Sequence, residues 1–130
     1  DHTADIAVES CASTIEEAFV GIAEGLSKAH SPNSTHGTKK FGIEISSESL
    51  EALLFDFLDM LISERDIHNV LPIDHEVSIN QEKDIWTLVG TYYGIPLETI
   101  ESREIKAVTY SDMKIEKNQN GWKLYVVFDV

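Results

Sequence analysis

The sequence predicts an α+β domain, with two amphipathic helices packed on a mixed, largely antiparallel sheet of about six or seven strands. Three observations carry this. Two stretches, near residues 14–28 and 48–64, repeat apolar residues at three- and four-residue steps, the period of a helix with one buried face. Several shorter stretches alternate apolar and polar residues, the period of a half-buried strand. The two patterns do not strictly alternate along the chain, which argues against a doubly wound parallel sheet. At 130 residues the chain suits one domain, 1–130, long enough to bury a core.

The elements follow in order. Ile6 and Val8 alternate with Ala7 and Glu9, a strand. Ser13-Thr14-Ile15-Glu16 reads as a capping box opening a helix to about Lys28, in which Ile15, Phe19, Ile22, Ala23 and Leu26 share a face. Gly21 and Gly25, four apart inside that helix, imply close approach of a neighbouring element. The stretch 29–40 carries Pro32 and Gly37 and reads as a loop, with His30 and His36 exposed. Phe41 to Ile45 is a strand, and Ser46 or Ser47 caps a second helix over about Glu48 to Glu64. Leu50, Leu53, Leu54, Phe57, Leu58 and Leu61 give that helix a wide apolar face. Phe55 and Ile62 add a second stripe, so this helix is largely buried and central to the core. Asp56 and Asp59 fall on its solvated side.

Residues 74–80 and 86–92 form a strand hairpin around Gln81 to Asp84, with Pro72 at its start or on a sheet edge. His75 sits on the apolar side, as a core histidine satisfied by a backbone group. Trp86, Tyr92 and Tyr93 lack basic neighbours and read as packing residues rather than base-stacking ones. Leu97 to Glu104 is irregular with a short helical turn. Ile105 to Tyr110, and then Met113 to Lys117, are extended. Asn118-Gln119-Asn120-Gly121 is a hairpin turn, since Asn-Gly tolerates positive φ, and Trp122 to Phe128 returns as a strand.

The net charge is −13, from 10 basic and 23 acidic residues with no basic run. Such a surface disfavours direct RNA or DNA binding, which needs clustered Lys and Arg, and suits cations or a basic protein partner. Cys11 is the only cysteine, which excludes an intrachain disulfide and a cysteine-based zinc site. It fits a reducing cytoplasm, and a buried or half-buried structural role is expected. No apolar run approaches the ~20 residues of a membrane span, and there is no leader pattern. The chain opens at Asp1 rather than methionine, so native residues are expected before it. A phosphate-cradling glycine loop, a Gly-x-Ser-x-Gly elbow and a recognisable Cys-His pair are all lacking.

Chemistry concentrates at the two ends. Asp5 leads into the first strand and Asp129 closes the last. If those strands share a sheet, their carboxylates converge, and a hard cation such as Ca²⁺ or Mg²⁺ between them relieves the repulsion. The alternative is a pair of solvated carboxylates.

The same words carry a resemblance. His2-Thr3-Ala4-Asp5, Ile105-Lys106-Ala107-Val108-Thr109-Tyr110, Asp112-Met113-Lys114-Ile115 and the closing Asp129-Val130 resemble the archease family, as do Leu50-Glu51-Ala52-Leu53-Leu54 and Phe57-Leu58. The likeness runs the length of the chain in the family's order. It implies a non-catalytic cytoplasmic accessory protein of the RtcB-type RNA-splicing ligase, which joins tRNA halves. Archeases promote guanylylation of the ligase's active-site histidine and so allow multiple turnover, with GTP met only through the ligase.

The resemblance also implies a divalent metal site, assigned as calcium in known members, at positions that here are Asp5, Asp129 and Val130. Val130 offers only backbone or terminal carboxylate oxygens. His2 is placed to orient the loop rather than to bind metal. Lys106 is placed to meet a carboxylate or a ligase-bound nucleotide phosphate, or to be a plain exposed lysine. Asp112 is a supporting group. The family often has a histidine where Ser111 stands, so no role is carried there. Two other readings stay open: a tRNA-binding chaperone or modulator of an RNA-modifying enzyme, and a metal-dependent hydrolase using the same aspartates.

Overall fold

The structure, a computed structural model, describes residues 5–32 and 36–130; His2 lies outside the described residues. The order is β1 (Asp5–Ala12), α1 (Ile15–His30), β2 (Lys39–Ser47), α2 (Leu50–His68), β3 (Val70–Glu82), β4 (Ile85–Pro96), a 3₁₀ turn (Leu97–Thr99), β5 (Ala107–Asn118) and β6 (Gly121–Asp129). The expected α+β class, with two helices and six strands, holds. The strands form two three-stranded sheets, β1-β6-β5 and β2-β4-β3, and every pairing is antiparallel. The division has a cause in α2. Its apolar surface includes Leu53, Leu54, Phe57, Leu58, Leu61 and Ile62, all buried, and Phe55 packs beside them. One sheet covers one side of such a helix; covering both sides takes two.

Each helix accordingly touches both sheets. Helix α1 packs on β1 and β6 of one and on β3 of the other, while α2 packs on β5 and on β2, β3 and β4. Phe19 and Phe57 stack at 5.9 Å where the helices meet, both essentially inaccessible. The close approach expected at Gly21 and Gly25 is real. A Cβ on Gly21 would lie 2.1 Å from Ser10 Oγ, and one on Gly25 2.3 Å from Val8 Cγ1. Side chains there would push α1 off β1.

Several boundaries differ from the sequence reading, each for a local reason. The α1 cap is Thr14, one residue later than expected. Its Oγ1 accepts from the Glu17 backbone N–H and donates to the Glu17 carboxylate, at 3.1 Å each. Glu16 is diverted to accept from the Ile79 backbone N–H at 3.4 Å. Helix α2 is capped by Ser49, which accepts from Ala52 N–H at 3.0 Å, because Ser47 stays in β2 and donates to Asp56 at 2.7 Å. It runs to His68, beyond the expected Glu64, and ends on Asn69 in the left-handed region. Pro72 lies within β3, an edge strand, where a missing ladder donor is tolerated.

His30 is not an exposed loop residue. It ends α1, 3% exposed, with Nδ1 2.9 Å from the Arg103 carbonyl. Cys11 is free and exposed rather than buried, because it falls on the outward phase of β1. Among the described residues, no helix is long and apolar enough to cross a membrane.

Candidate functional site

Strand β6 is the centre of its sheet, with β1 on one side and β5 on the other. The β1 register pairs Ile6 with Phe128, Val8 with Val126 and Ser10 with Leu124. These face the helices, and Phe128, Val126 and Leu124 are fully buried. The alternate rungs therefore face outward, and the first of them pairs Asp5 directly with Asp129. Opposed residues on antiparallel strands share a face, with Cβ atoms about 4.5–5.5 Å apart. The sequence expectation that the two aspartates meet is thus met in backbone register. Asp5 is exposed and Asp129 half-buried.

Strand β5 completes the rung. Ala107 pairs with Asp129 on its other side, and the Lys106 backbone N–H donates to the Asp129 carbonyl at 2.8 Å. Lys106 therefore stands beside the rung with an exposed side chain. Val130 follows Asp129 half-buried, packed against the core, so its backbone is fixed next to the pair. Asp112 is not brought there. It sits in the irregularity of β5 between the rungs of Thr109 and Lys114, exposed, with φ of 62°.

Two like charges opposed on one rung destabilise a sheet unless something lies between or beside them. Two carboxylates plus the oxygens of Val130 form an all-oxygen donor set, the kind a hard divalent cation takes. Nothing in this set is soft or nitrogenous, so the residues fit calcium or magnesium better than zinc. Among the described residues, no three His, Cys, Asp or Glu side chains converge as a metal cluster. A cation on this rung would hold two protein carboxylates and draw its remaining ligands from backbone and solvent.

Other expected features fall elsewhere. Asp56 and Asp59 are exposed on α2, as read from the sequence. Trp86 and Tyr92 pack inward, and the Tyr92 hydroxyl donates to Glu64 at 2.8 Å. Burial, then the Glu64 hydrogen bond and charge, push the Tyr92 phenol well above its ordinary range. His75 is buried as expected, but no backbone group satisfies it: neither ring nitrogen has a hydrogen-bond partner. Burial holds its pKa down to about 4, so the imidazole is neutral at physiological pH. Sequence reading also missed a second acidic patch, where Glu17, Val20 and Glu24 of α1 lie beside Glu76 of β3. Their three- and four-residue spacing along α1 was its available signal.

The class of protein is thus a small acidic α+β domain whose strands β1 and β6 bring two aspartates onto one outward rung, beside the backbone of Val130. The comparisons say which family. The model of the Archease protein family (MTH1598/TM1083) matches residues 1–130, and the chain belongs to that family. It is 35% identical to the protein archease of Pyrococcus furiosus, over all of this chain and 95% of that one. It is 32% identical to that of Methanosarcina barkeri, over all of this chain and 92% of that one. Among solved structures, protein 1598 of Methanobacterium thermoautotrophicum superposes with a TM-score of 0.79 at 28% identity, covering 100% of this chain and 95% of that one. A Thermotoga maritima protein described as an archease and possible chaperone superposes with a TM-score of 0.67 at 27% identity, covering 99% and 93%.

Proposed function

We propose that this protein is a non-catalytic activator of an RtcB-type RNA-splicing ligase, acting in the cytoplasm, and that Asp5, Asp129 and Val130 hold a divalent cation, calcium by preference. Family membership supports the ligase as partner. The observation that carries the site is the direct pairing of Asp5 with Asp129 across β1 and β6.

In this reading the acidic rung docks at the mouth of the ligase active site and promotes guanylylation of the ligase's histidine. The cation, when bound, neutralises the two carboxylates and offers a positive centre toward phosphate oxygens. The chain's own residues supply the rest. Asp5 and Asp129 orient their carboxylates from opposed strands. The Lys106 N–H fixes the Asp129 carbonyl, and the exposed Lys106 side chain is free to meet a nucleotide phosphate on the ligase. GTP is engaged through the ligase, and the −13 charge disfavours direct RNA binding.

The test is single-turnover guanylylation of the cognate ligase with labelled GTP. Wild-type protein should accelerate labelling; folded Asp5→Ala and Asp129→Ala proteins should not. Full stimulation by either variant would sink the site, and no stimulation of a competent ligase by the wild type would sink the role.

A further inference from the structure

Between β4 and β5 the chain crosses from one sheet to the other. After the 3₁₀ turn, residues 100–106 belong to no helix or strand. Such a crossing is ordinarily a loose surface connection. Here side chains from the last turns of both helices clamp it. Ser31, the C-cap of α1, donates its hydroxyl to the Glu101 carbonyl at 2.8 Å. Arg65 of α2 donates through Nη2 to the Ser102 hydroxyl at 3.0 Å. His30 holds Arg103 twice. Its carbonyl accepts the Arg103 N–H at 2.8 Å, and its ring Nδ1 lies 2.9 Å from the Arg103 carbonyl.

A carbonyl oxygen only accepts, so Nδ1 carries the proton. The residue is 3% exposed, and burial holds its pKa below the usual imidazole value, against the opposing pull of the Arg103 carbonyl. At neutral pH the ring is therefore uncharged, with its one N–H committed to this contact.

Three residues on, the same segment reaches the rung. Ile105 is sunk in the main core, 2% exposed, and the Lys106 N–H donates to the Asp129 carbonyl at 2.8 Å. That bond sets the plane of the peptide joining Asp129 to Val130. Strand β6 ends at Asp129, so Val130 lies beyond its ladder. The Lys106 bond and the packing of Val130 on the core decide where the Val130 oxygens lie. Contacts thus run without a break from the end of α1, through Arg103 and the Ile105 anchor, to the closing end of β6. Groups that orient a cation's ligands matter almost as much as the ligands themselves.

We propose that His30 is a positioning residue for the Asp5–Asp129 rung: it latches residues 101–106 onto the end of α1 and, through Lys106, fixes the Asp129–Val130 peptide. The inference rests on the reading of Asp5, Asp129 and Val130 as a cation site and adds to that site a support from α1.

The experiment has two arms on the whole protein, each read for wild type, His30→Ala and His30→Asn. The first is amide hydrogen exchange by NMR without metal, comparing Lys106 with Leu88 and Leu124 at the centres of the two sheets. The second is calorimetric titration with calcium. His30→Ala should speed exchange at Lys106 by about tenfold or more beyond any change at Leu88 and Leu124, because the opening is local. It should weaken calcium binding by about fivefold, less than the loss typical of a direct partner of a ligand. Asparagine sets an amide N–H near the position of Nδ1, so His30→Asn should restore most of both. If His30→Ala does not fold, Ser102→Ala takes its place. It removes only the Arg65 clamp on the same segment and should give about a threefold loss in each arm.

Equal acceleration at all three amides would show a general loss of stability and overturn the latch. So would an unchanged calcium affinity in a variant whose Lys106 amide has opened, or no recovery in His30→Asn. Wild-type protein that takes up no calcium would overturn the cation site itself and the positioning role with it, a result told apart because the wild type fails before any variant is made.

Discussion

The molecule carries two acidic regions, built in opposite ways. On the β1-β6 rung, strand register alone opposes two carboxylates in the open, on a face that no helix covers. In the α1-β3 patch no register opposes two carboxylates; near them lies a buried imidazole without a partner. The rung sets two carboxylates directly opposite each other. The α1-β3 patch spreads its carboxylates over two elements. Acidity by itself thus says little about the ligand; the spacing of the carboxylates decides it.

The sharpest way to separate the regions is through the ligase. Asp5→Ala or Asp129→Ala should reduce stimulated guanylylation by tenfold or more, whereas Glu24→Gln/Glu76→Gln should leave it within about twofold, because exposed charges away from a site act weakly. The same single-turnover assay reads both. A change that dissolves the comparison is Phe57→Ala. That ring is buried between helices that serve both sheets, and its loss should cost about 3–5 kcal/mol in urea unfolding and weaken both regions together.

A third test isolates His75 by pH. Folded, His75 takes up a proton only near pH 4; unfolded, its imidazole takes one up near 6.5. The unfolded chain therefore binds more protons between those values, and stability falls as pH drops from 6.5 toward 4. The loss should be about 3 kcal/mol at full extent, and His75→Phe should flatten that part of the denaturation profile. A fourth isolates the rung by metal. Calcium at a hundredfold excess over its Kd should add about 2.7 kcal/mol, seen as a raised Tm that chelator reverses and Asp129→Ala abolishes. The smallest effect serves as a baseline: Thr14→Ala removes only the α1 cap and should cost about 1 kcal/mol, without altering metal response at the rung.

The sequence made some of this legible and hid the rest for physical reasons. The helices showed through Leu53, Phe57 and Leu61, because burial imposes the helical period directly. The pairing of Asp5 with Asp129 was foreseeable because one opens the first alternating run and the other closes the last. The split into two sheets was not, since a strand's alternation records which face is buried and not which strand lies beside it. His30 was misplaced because Ser31 and Pro32 suggest a loop, while Arg103, far along the chain, holds the last turn of α1, its N–H donating to the His30 carbonyl and its carbonyl meeting the His30 ring. The α1-β3 patch stayed hidden because Glu17 and Glu24 look like an ordinary solvated helix face until β3 is set against it. His75 was recognised as inward but not as unsatisfied, a fact that needs its neighbours' positions.

The place of β6 has a consequence for how the protein is born. Among the described strands the ribosome delivers β1 before the others and β6 after them, yet β1 pairs with β6. Throughout synthesis the opening strand waits with both edges bare, and the sheet β2-β4-β3 can close long before it. The Asp5–Asp129 rung cannot exist on a chain that stops short of β6, so such a copy is inert toward anything that reads the rung. Strand β6 thereby closes the rung, and removing it should silence the protein while leaving much of its chain able to collapse.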